Sequence, residues 1–189
     1  MNFDIIEMTE DNFLNLCKNQ KYYYWIACGK LIHKSIFLKH PLTEGRIYED
    51  YAIVCKWLHE AKKVAVIPSP LYFYYINTSG TTKKNFTEKQ LDILWAFEEQ
   101  ISYFHSLDYE KMTEHLVSYY FEISANMYYR AKHKGNNKKH IKIIKEHKKH
   151  IEKTYSKYIH LDTEKKLYIY EKTNPFMFFV MRIKRKLLK

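Results

Sequence analysis

Two adjacent carboxylates, Glu49 and Asp50, close the segment Glu44-Gly-Arg-Ile-Tyr-Glu-Asp. They lie where a loop gives way to a helical apolar pattern. One can therefore face a cleft and act as a general base, while backbone N–H groups or an arginine hold the other. The same pair also suits a plain helix start, where acids complement the positive end of the dipole. Taken alone, the stretch leaves both open. Other chemistry-bearing side chains are more easily placed. Cys17, Cys28 and Cys55 are odd in number and lack C-x-x-C spacing, which predicts free thiols and not a disulfide framework or a zinc site. His140, His147 and His150 stand among lysines, where a metal site would want carboxylates or thiolates, so a solvated basic helix is expected there. Asp108-x-Glu110 and Asp162-x-Glu164 are spaced acid pairs that fit helix N-termini better than metal ligands.

These groups need elements to hold them. Thr9 to Asn19 predicts a short amphipathic helix capped by Thr9, with Phe13, Leu14 and Cys17 on one face. The aromatic-rich stretch from Tyr22 to Phe37 reads as a strand, roughly Tyr24 to Ile32, leading into a helical turn at Ser35. Pro41 to Tyr48 is a loop. A helix follows from Glu49, with Ile53, Val54, Trp57 and Leu58 recurring at three and four. Val64 to Ile67 and Leu71 to Ile76 are β-type runs separated by Pro68-Ser-Pro, and Asn77 to Asn85 is a polar loop. Thr87 with Gln90 has capping-box spacing ahead of Leu91, Leu94, Trp95 and Ile101, predicting a helix to about Ser106. Asp108 can cap the next helix, to Lys132, with Leu116, Tyr120, Ile123 and Met127 inward. Gly135-Asn-Asn stops it. Lys138 to Tyr158 is a basic helix with a thin apolar stripe of Ile141, Ile144, Ile151 and Tyr155. A last helix starts at Thr173-Asn-Pro. The expected fold class is α+β, mostly helical, with a boundary near residue 85: mixed α/β over 1–85 and helical over 86–189.

The 189 residues are 46% hydrophobic and 17% aromatic, enough for a real core and too apolar for global disorder. The formal charge of +11 is unevenly spread. Residues 130–189 carry nineteen Lys or Arg against five acids; the first 129 carry thirteen against sixteen. A near-neutral domain with a basic appendage is expected, and such an appendage seeks polyanions. Pro175 to Met181, the longest apolar run, is too short to span a bilayer, which needs roughly 20 residues. Asp4, Glu7, Glu10 and Asp11 replace the basic start of a secretory signal, so a cytoplasmic location is expected. Pro175-Phe-Met-Phe-Phe-Val-Met joined to Arg182, Lys184, Arg185 and Lys186 suits an interfacial helix on an anionic membrane, and equally a helix docked on its own domain. Nucleic-acid binding is not expected: Lys far outnumbers Arg, and no recognition motif frames the patch.

The order of short motifs is more specific than any one of them. Trp25-x-x-Cys-Gly-Lys30-Leu-Ile-His-Lys-Ser-Ile-Phe37 precedes Glu44-Gly-x-Ile-Tyr48-Glu49-Asp50 and its helix. Then come Ala61-Lys-Lys-Val64 and Pro70-Leu-Tyr72-x-Tyr74 with a Ser/Gly/Thr loop. Over residues 22 to about 82 this resembles the acceptor-side half of bacterial family 2 glycosyltransferases of the GT-A fold. The resemblance implies an inverting transfer from a nucleotide sugar to a glycan or lipid-linked acceptor, in surface polysaccharide or lipopolysaccharide assembly. It implies Asp50 as the base, Glu49 as its support, Lys30 near the cleft floor, and Trp25, Tyr48, Tyr72 and Tyr74 lining the substrate. Aromatic faces suit that task, because sugar C–H faces pack on them.

The chain departs from the family pattern in three places. Tyr75 and Ile76 stand where an arginine often follows the second tyrosine, and Gly80-Thr81 replaces Gly-Ser. The family's N-terminal nucleotide-binding half, with its D-x-D pair for a divalent metal (Mn²⁺ or Mg²⁺), has no counterpart: no two of the six aspartates are spaced by two. The expectation is thus a truncated acceptor-side piece with a helical extension, in need of a partner chain or prone to self-association through exposed apolar surface. The alternative is a non-catalytic remnant that binds membrane or protein through its basic helices.

Overall fold

The computed structural model describes residues 4–19, 25–67, 69–73, 75, 86–135 and 138–159. Thr9 begins the first helix as its pattern predicts: its hydroxyl accepts from the Asn12 N–H at 3.4 Å, and α1 runs Glu10–Lys18. The buried ridge of α1 is Phe13 and Leu16, while Leu14 and Cys17 are only half-buried. α2 (Lys34–Lys39) is short and capped by the His33 ring, which accepts from the Ser35 N–H. α3 (Glu49–Ala61) buries Ala52, Ile53, Val54, Cys55, Trp57 and Leu58, a face too wide for a single partner. It packs against α2, α4 and the strand that follows it.

The sheet has two strands. β1 (Asp4–Glu7) pairs antiparallel with β2 (Lys63–Val66), with Ile5 opposite Ala65 and Ile6 opposite Val64. β2 occupies the first β-type run of the sequence. β1 has no expected counterpart, since its four residues acquire a strand's geometry only from a partner about sixty positions away. The Met8 N–H continues the pairing onto the Lys62 carbonyl at 2.8 Å.

Two expected strands are corrected. Residues 25–29 form turns, with Gly29 at a left-handed φ of 72°, and residues 30–33 form no strand. The described residues of the second β-type run, 71–73 and 75, form no strand and are exposed. Backbone pairing defines a strand, and β propensity alone does not supply it.

A 3-10 turn (Glu88–Leu91) leads into α4 (Asp92–Ser106), whose buried face is Ile93, Leu94, Ala96, Phe97, Gln100, Ile101 and Phe104. Thr87 precedes the turn but its hydroxyl does not cap it. α5 (Glu110–Arg130) follows Asp108, which adopts φ 56° and turns the chain between the two helices. The first turn of α5 is capped from elsewhere in the sequence: Glu10 Oε1 accepts from the Met112 N–H at 3.0 Å, and Lys111 pairs with Asp11 at 3.0 Å. α5 passes into a π-helical turn (Ala131–Gly135). α6 (Lys138–Thr154) and a 3-10 turn (Ser156–Tyr158) complete the described chain.

The architecture is therefore mostly helical with one small antiparallel sheet. The chain divides into two compact units, Met1–Leu116 and Val117–Lys189. The composition break near residue 85 falls inside the first unit, where α3 and α4 pack together across it. The core of the first unit is built on Phe13, Val54, Cys55, Leu94, Ile101 and Phe104, with Phe13 edge-on to Phe104 at 5.0 Å. In the second unit Val117, Tyr120, Phe121, Ala131, Ile144 and Ile151 are buried. Ile123, expected inward, is half-buried. Among the described residues no helix is long and apolar enough to cross a membrane. The helix expected from Thr173 lies outside the described residues.

Candidate functional site

The carboxylate pair sits in the first turn of α3. Asp50 Oδ1 accepts from the Tyr51 N–H at 3.0 Å, an arrangement available only at a helix start, where first-turn N–H groups lack intrahelical partners. Asp50 is half-buried. Burial and the adjacent Glu49 charge push its pKa up, while hydrogen bonding from the Tyr51, Ala27 and Asp50 N–H groups pulls the other way. The Ala27 contribution matters for placement: it brings the turn preceding Gly29 against the start of α3.

Lys30 belongs to that same turn. Its ammonium donates to the Ile26 carbonyl, folding the side chain back over its own loop. Burial lowers its pKa to about 8, against the charges of Asp50 and Cys28, which raise it. A cation and an acid are thus both shifted toward neutrality by partial loss of water, which marks a cleft and not an open surface. Tyr72 completes the group. Its ring lies over Gly29, 3.6 Å from where a Cβ would stand, so the glycine provides both the reversal and the flat seat for the ring. Trp25, at the other end of the turn, is buried.

Tyr48 immediately precedes the carboxylates and carries a left-handed φ of 65°, unusual for an aromatic residue. Its ring meets Tyr51 edge-on at 5.8 Å, and Tyr51 in turn contacts Phe97 at 6.2 Å. Strain of about 1–3 kcal/mol at such a position persists only when neighbours fix it. The fixing is visible one residue upstream: Asp92, in the first turn of α4, accepts from the Ile47 N–H at 3.1 Å and from Arg46 at 3.0 Å. The Arg46 guanidinium also covers the Trp95 ring at 4.5 Å. The loop carrying Tyr48 is therefore pinned to α4 from one side.

Trp25, Lys30, Tyr48, Glu49, Asp50 and Tyr72 fall on three segments: residues 25–30, the start of α3, and residues 71–73. Ala27 links the first to the second, and Gly29 links the first to the third. Residues 71–73 form no strand, so Tyr72 does not reach the site from one, as the resemblance implied; its ring lies against Gly29, more than half exposed. Tyr74, Arg182, Lys184, Arg185 and Lys186 lie outside the described residues. The sequence missed three contributors: Gly29 as the seat, the Ala27 N–H as a donor, and the Asp92–Arg46 clamp. Gly29 alone left a signal, as the one glycine interrupting an aromatic run.

As to a metal, the described residues contain no group of three or more His, Cys, Asp or Glu side chains able to hold one. No family model, curated protein or solved structure matches the chain.

Proposed function

We propose that the chain is the acceptor-side part of an inverting family 2-like glycosyltransferase of the GT-A type. It transfers sugar from a nucleotide-sugar donor to a glycan or lipid-linked acceptor in surface polysaccharide or lipopolysaccharide assembly, at the cytoplasmic face of the membrane. The observation that carries the reading is Asp50: a half-buried carboxyl with a raised pKa, facing a turn that bears Lys30 and an exposed aromatic ring. A carboxylate moved toward neutral pH is a better proton acceptor than a fully solvated one. In this mechanism one carboxylate oxygen of Asp50 takes the acceptor hydroxyl proton, while the other stays bound to the Tyr51 N–H. The acceptor oxygen bonds to the anomeric carbon from the face opposite the leaving nucleoside diphosphate, and the carbon–oxygen bond to that diphosphate breaks. Glu49 keeps the pKa of Asp50 high. Tyr72 offers a ring face to the sugar.

The reading assigns donor and metal binding to a nucleotide-binding half outside these 189 residues. The test is reconstitution: the purified chain is mixed with a D-x-D nucleotide-binding partner and offered UDP- and GDP-sugars with membrane extract as acceptor. Transfer should depend on both chains, and Asp50→Asn should reduce it by about 10²–10⁴-fold. Full activity in the Asp50→Asn protein would remove Asp50 as the base.

A second reading is favoured by one observation. Leu71, Tyr72, Phe73 and Tyr75 are all more than half exposed, a run of apolar surface that suits a binding module without chemistry of its own. On that reading a protein partner is retained by the chain, and no transfer appears under any pairing.

A further inference from the structure

The strongest charge segregation in the described chain lies on α6. Its seventeen residues include seven lysines and two glutamates. His140, Ile144 and Ile151 are buried and share one side of the helix, at spacings of four and seven. The opposite side presents Lys138, Lys142, Lys149 and Lys153, all exposed, flanked by Lys139 and Lys145. A shallow groove is lined by Lys138, Ile141, Lys142, Lys145, Glu146 and Lys149, with Ile141 its one apolar residue. Two ion pairs within α6 offset part of this charge: Lys142–Glu146 at 3.8 Å and Lys148–Glu152 at 3.6 Å, both one turn apart.

We propose that this outer face of α6 is a docking surface for an anionic phospholipid bilayer. Three features favour a lipid surface. First, the cations lie along one straight helix about 25 Å long, which matches a flat field of charge better than a grooved one. Second, they are lysines only: flexible point charges that follow mobile headgroups, without the guanidinium forks or aromatic rings that read bases. Third, the charge is confined. Residues 1–129 hold thirteen basic and sixteen acidic residues, so an anionic surface attracts one end of the chain and not the other. Ile141 lies at the rim of the lysine face, where a single apolar side chain can enter the interface. The buried His140–Ile144–Ile151 ridge fixes the helix so that the lysines keep one orientation. This surface does not depend on the catalytic reading: a chain without transferase activity would carry it unchanged.

The experiment is flotation of the full-length chain with phosphatidylcholine vesicles, with and without 30% phosphatidylglycerol, across a salt series. Two variants with equal charge loss are compared. One carries Lys138→Gln, Lys142→Gln, Lys145→Gln and Lys149→Gln; the other carries Arg182→Gln, Lys184→Gln, Arg185→Gln and Lys186→Gln. Circular dichroism checks that both fold, and a Lys→Arg set at the four α6 positions serves as the rescue. Binding is expected only with phosphatidylglycerol and should fade at high salt. The α6 variant should lose about 100-fold or more in partitioning, given the contribution of each lysine near such a surface, and the Lys→Arg set should restore it. Any of three outcomes overturns the proposal: no binding to the anionic vesicles, equal binding by the α6 variant and the wild type, or displacement from vesicles by RNA at lower phosphate concentration.

Discussion

Lys30 should behave unlike an ordinary solvated lysine. Its pKa is held at about 8 by partial burial. At pH 8 about half of it is then the neutral, nucleophilic amine, against about 0.3% for an ordinary lysine, an advantage of about 150-fold in reactive fraction. The perturbation is brief acetylation at a series of pH values, and the readout is the initial labelling rate of each lysine by peptide mass spectrometry. Because burial also slows access, the informative quantity is the midpoint of each pH profile and not the absolute rate. The Lys30 midpoint should fall near pH 8, well below the ordinary lysine value of 10.5. Asp50 raises the Lys30 pKa, so Asp50→Asn should move the midpoint further down. The stability consequence has a definite sign. The folded chain binds fewer protons than the unfolded one between about pH 8 and the ordinary lysine value of 10.5. This contribution therefore destabilises the fold fully below about pH 8 and disappears as the pH rises toward 10.5. Its size is about 1–2 kcal/mol once the solvent-exposed share of the side chain is discounted. A Lys30 midpoint above pH 10, or one that ignores Asp50→Asn, would refute the cleft between the 25–30 turn and α3.

Three further perturbations test how the site is held. Asp92→Ala removes an acceptor from the Ile47 N–H, an ion pair to Arg46 and a favourable charge at the start of α4; it should cost about 2–3 kcal/mol in urea denaturation and speed hydrogen exchange at Ile47, whereas Arg46→Ala should cost only about 1 kcal/mol. Gly29→Ala meets the Tyr72 ring at an ordinary 3.6 Å but must adopt φ 72°, so thermal unfolding should show a loss of about 1–2 kcal/mol with the ring contact retained. Gln100 is buried, with neither amide atom bonded to any described residue; Gln100→Met fills a similar volume without that cost and should stabilise by about 1 kcal/mol or more.

What the sequence disclosed and what it hid follow the range of the interactions concerned. Thr9 caps α1, Glu49 and Asp50 open α3, and the apolar spacing of α3 and α4 is set within a few turns, so each could be read from neighbours alone. The aromatic-rich stretch from Tyr22 misled because β propensity describes a preference for a pleated surface, and among the described residues no strand pairs with it. β1 was hidden for the converse reason, since Asp4–Glu7 becomes a strand through Lys63–Val66. At the site, the pair Glu49–Asp50 and the nearby Lys30 were legible as residue types. Their meeting was not, because it depends on the Gly29 reversal and on the Asp92 clamp from 45 positions away. Fold class was therefore accessible in outline, and the geometry that shifts Asp50 and Lys30 was not.

The Glu10 cap on α5 imposes an order in time. Its acceptor and the Met112 donor are 102 residues apart, so the N-terminus of α5 stays uncapped until the whole intervening chain has emerged and folded back. At about 5–20 residues per second of synthesis, α1 waits roughly 5–20 s with its carboxylate facing water. During that interval Met112 is not yet made, and once it emerges its N–H bonds to water until Glu10 is brought to it. Docking of Glu10 closes the end of α5, so a helix made earlier supplies the contact that completes the first turn of a later one.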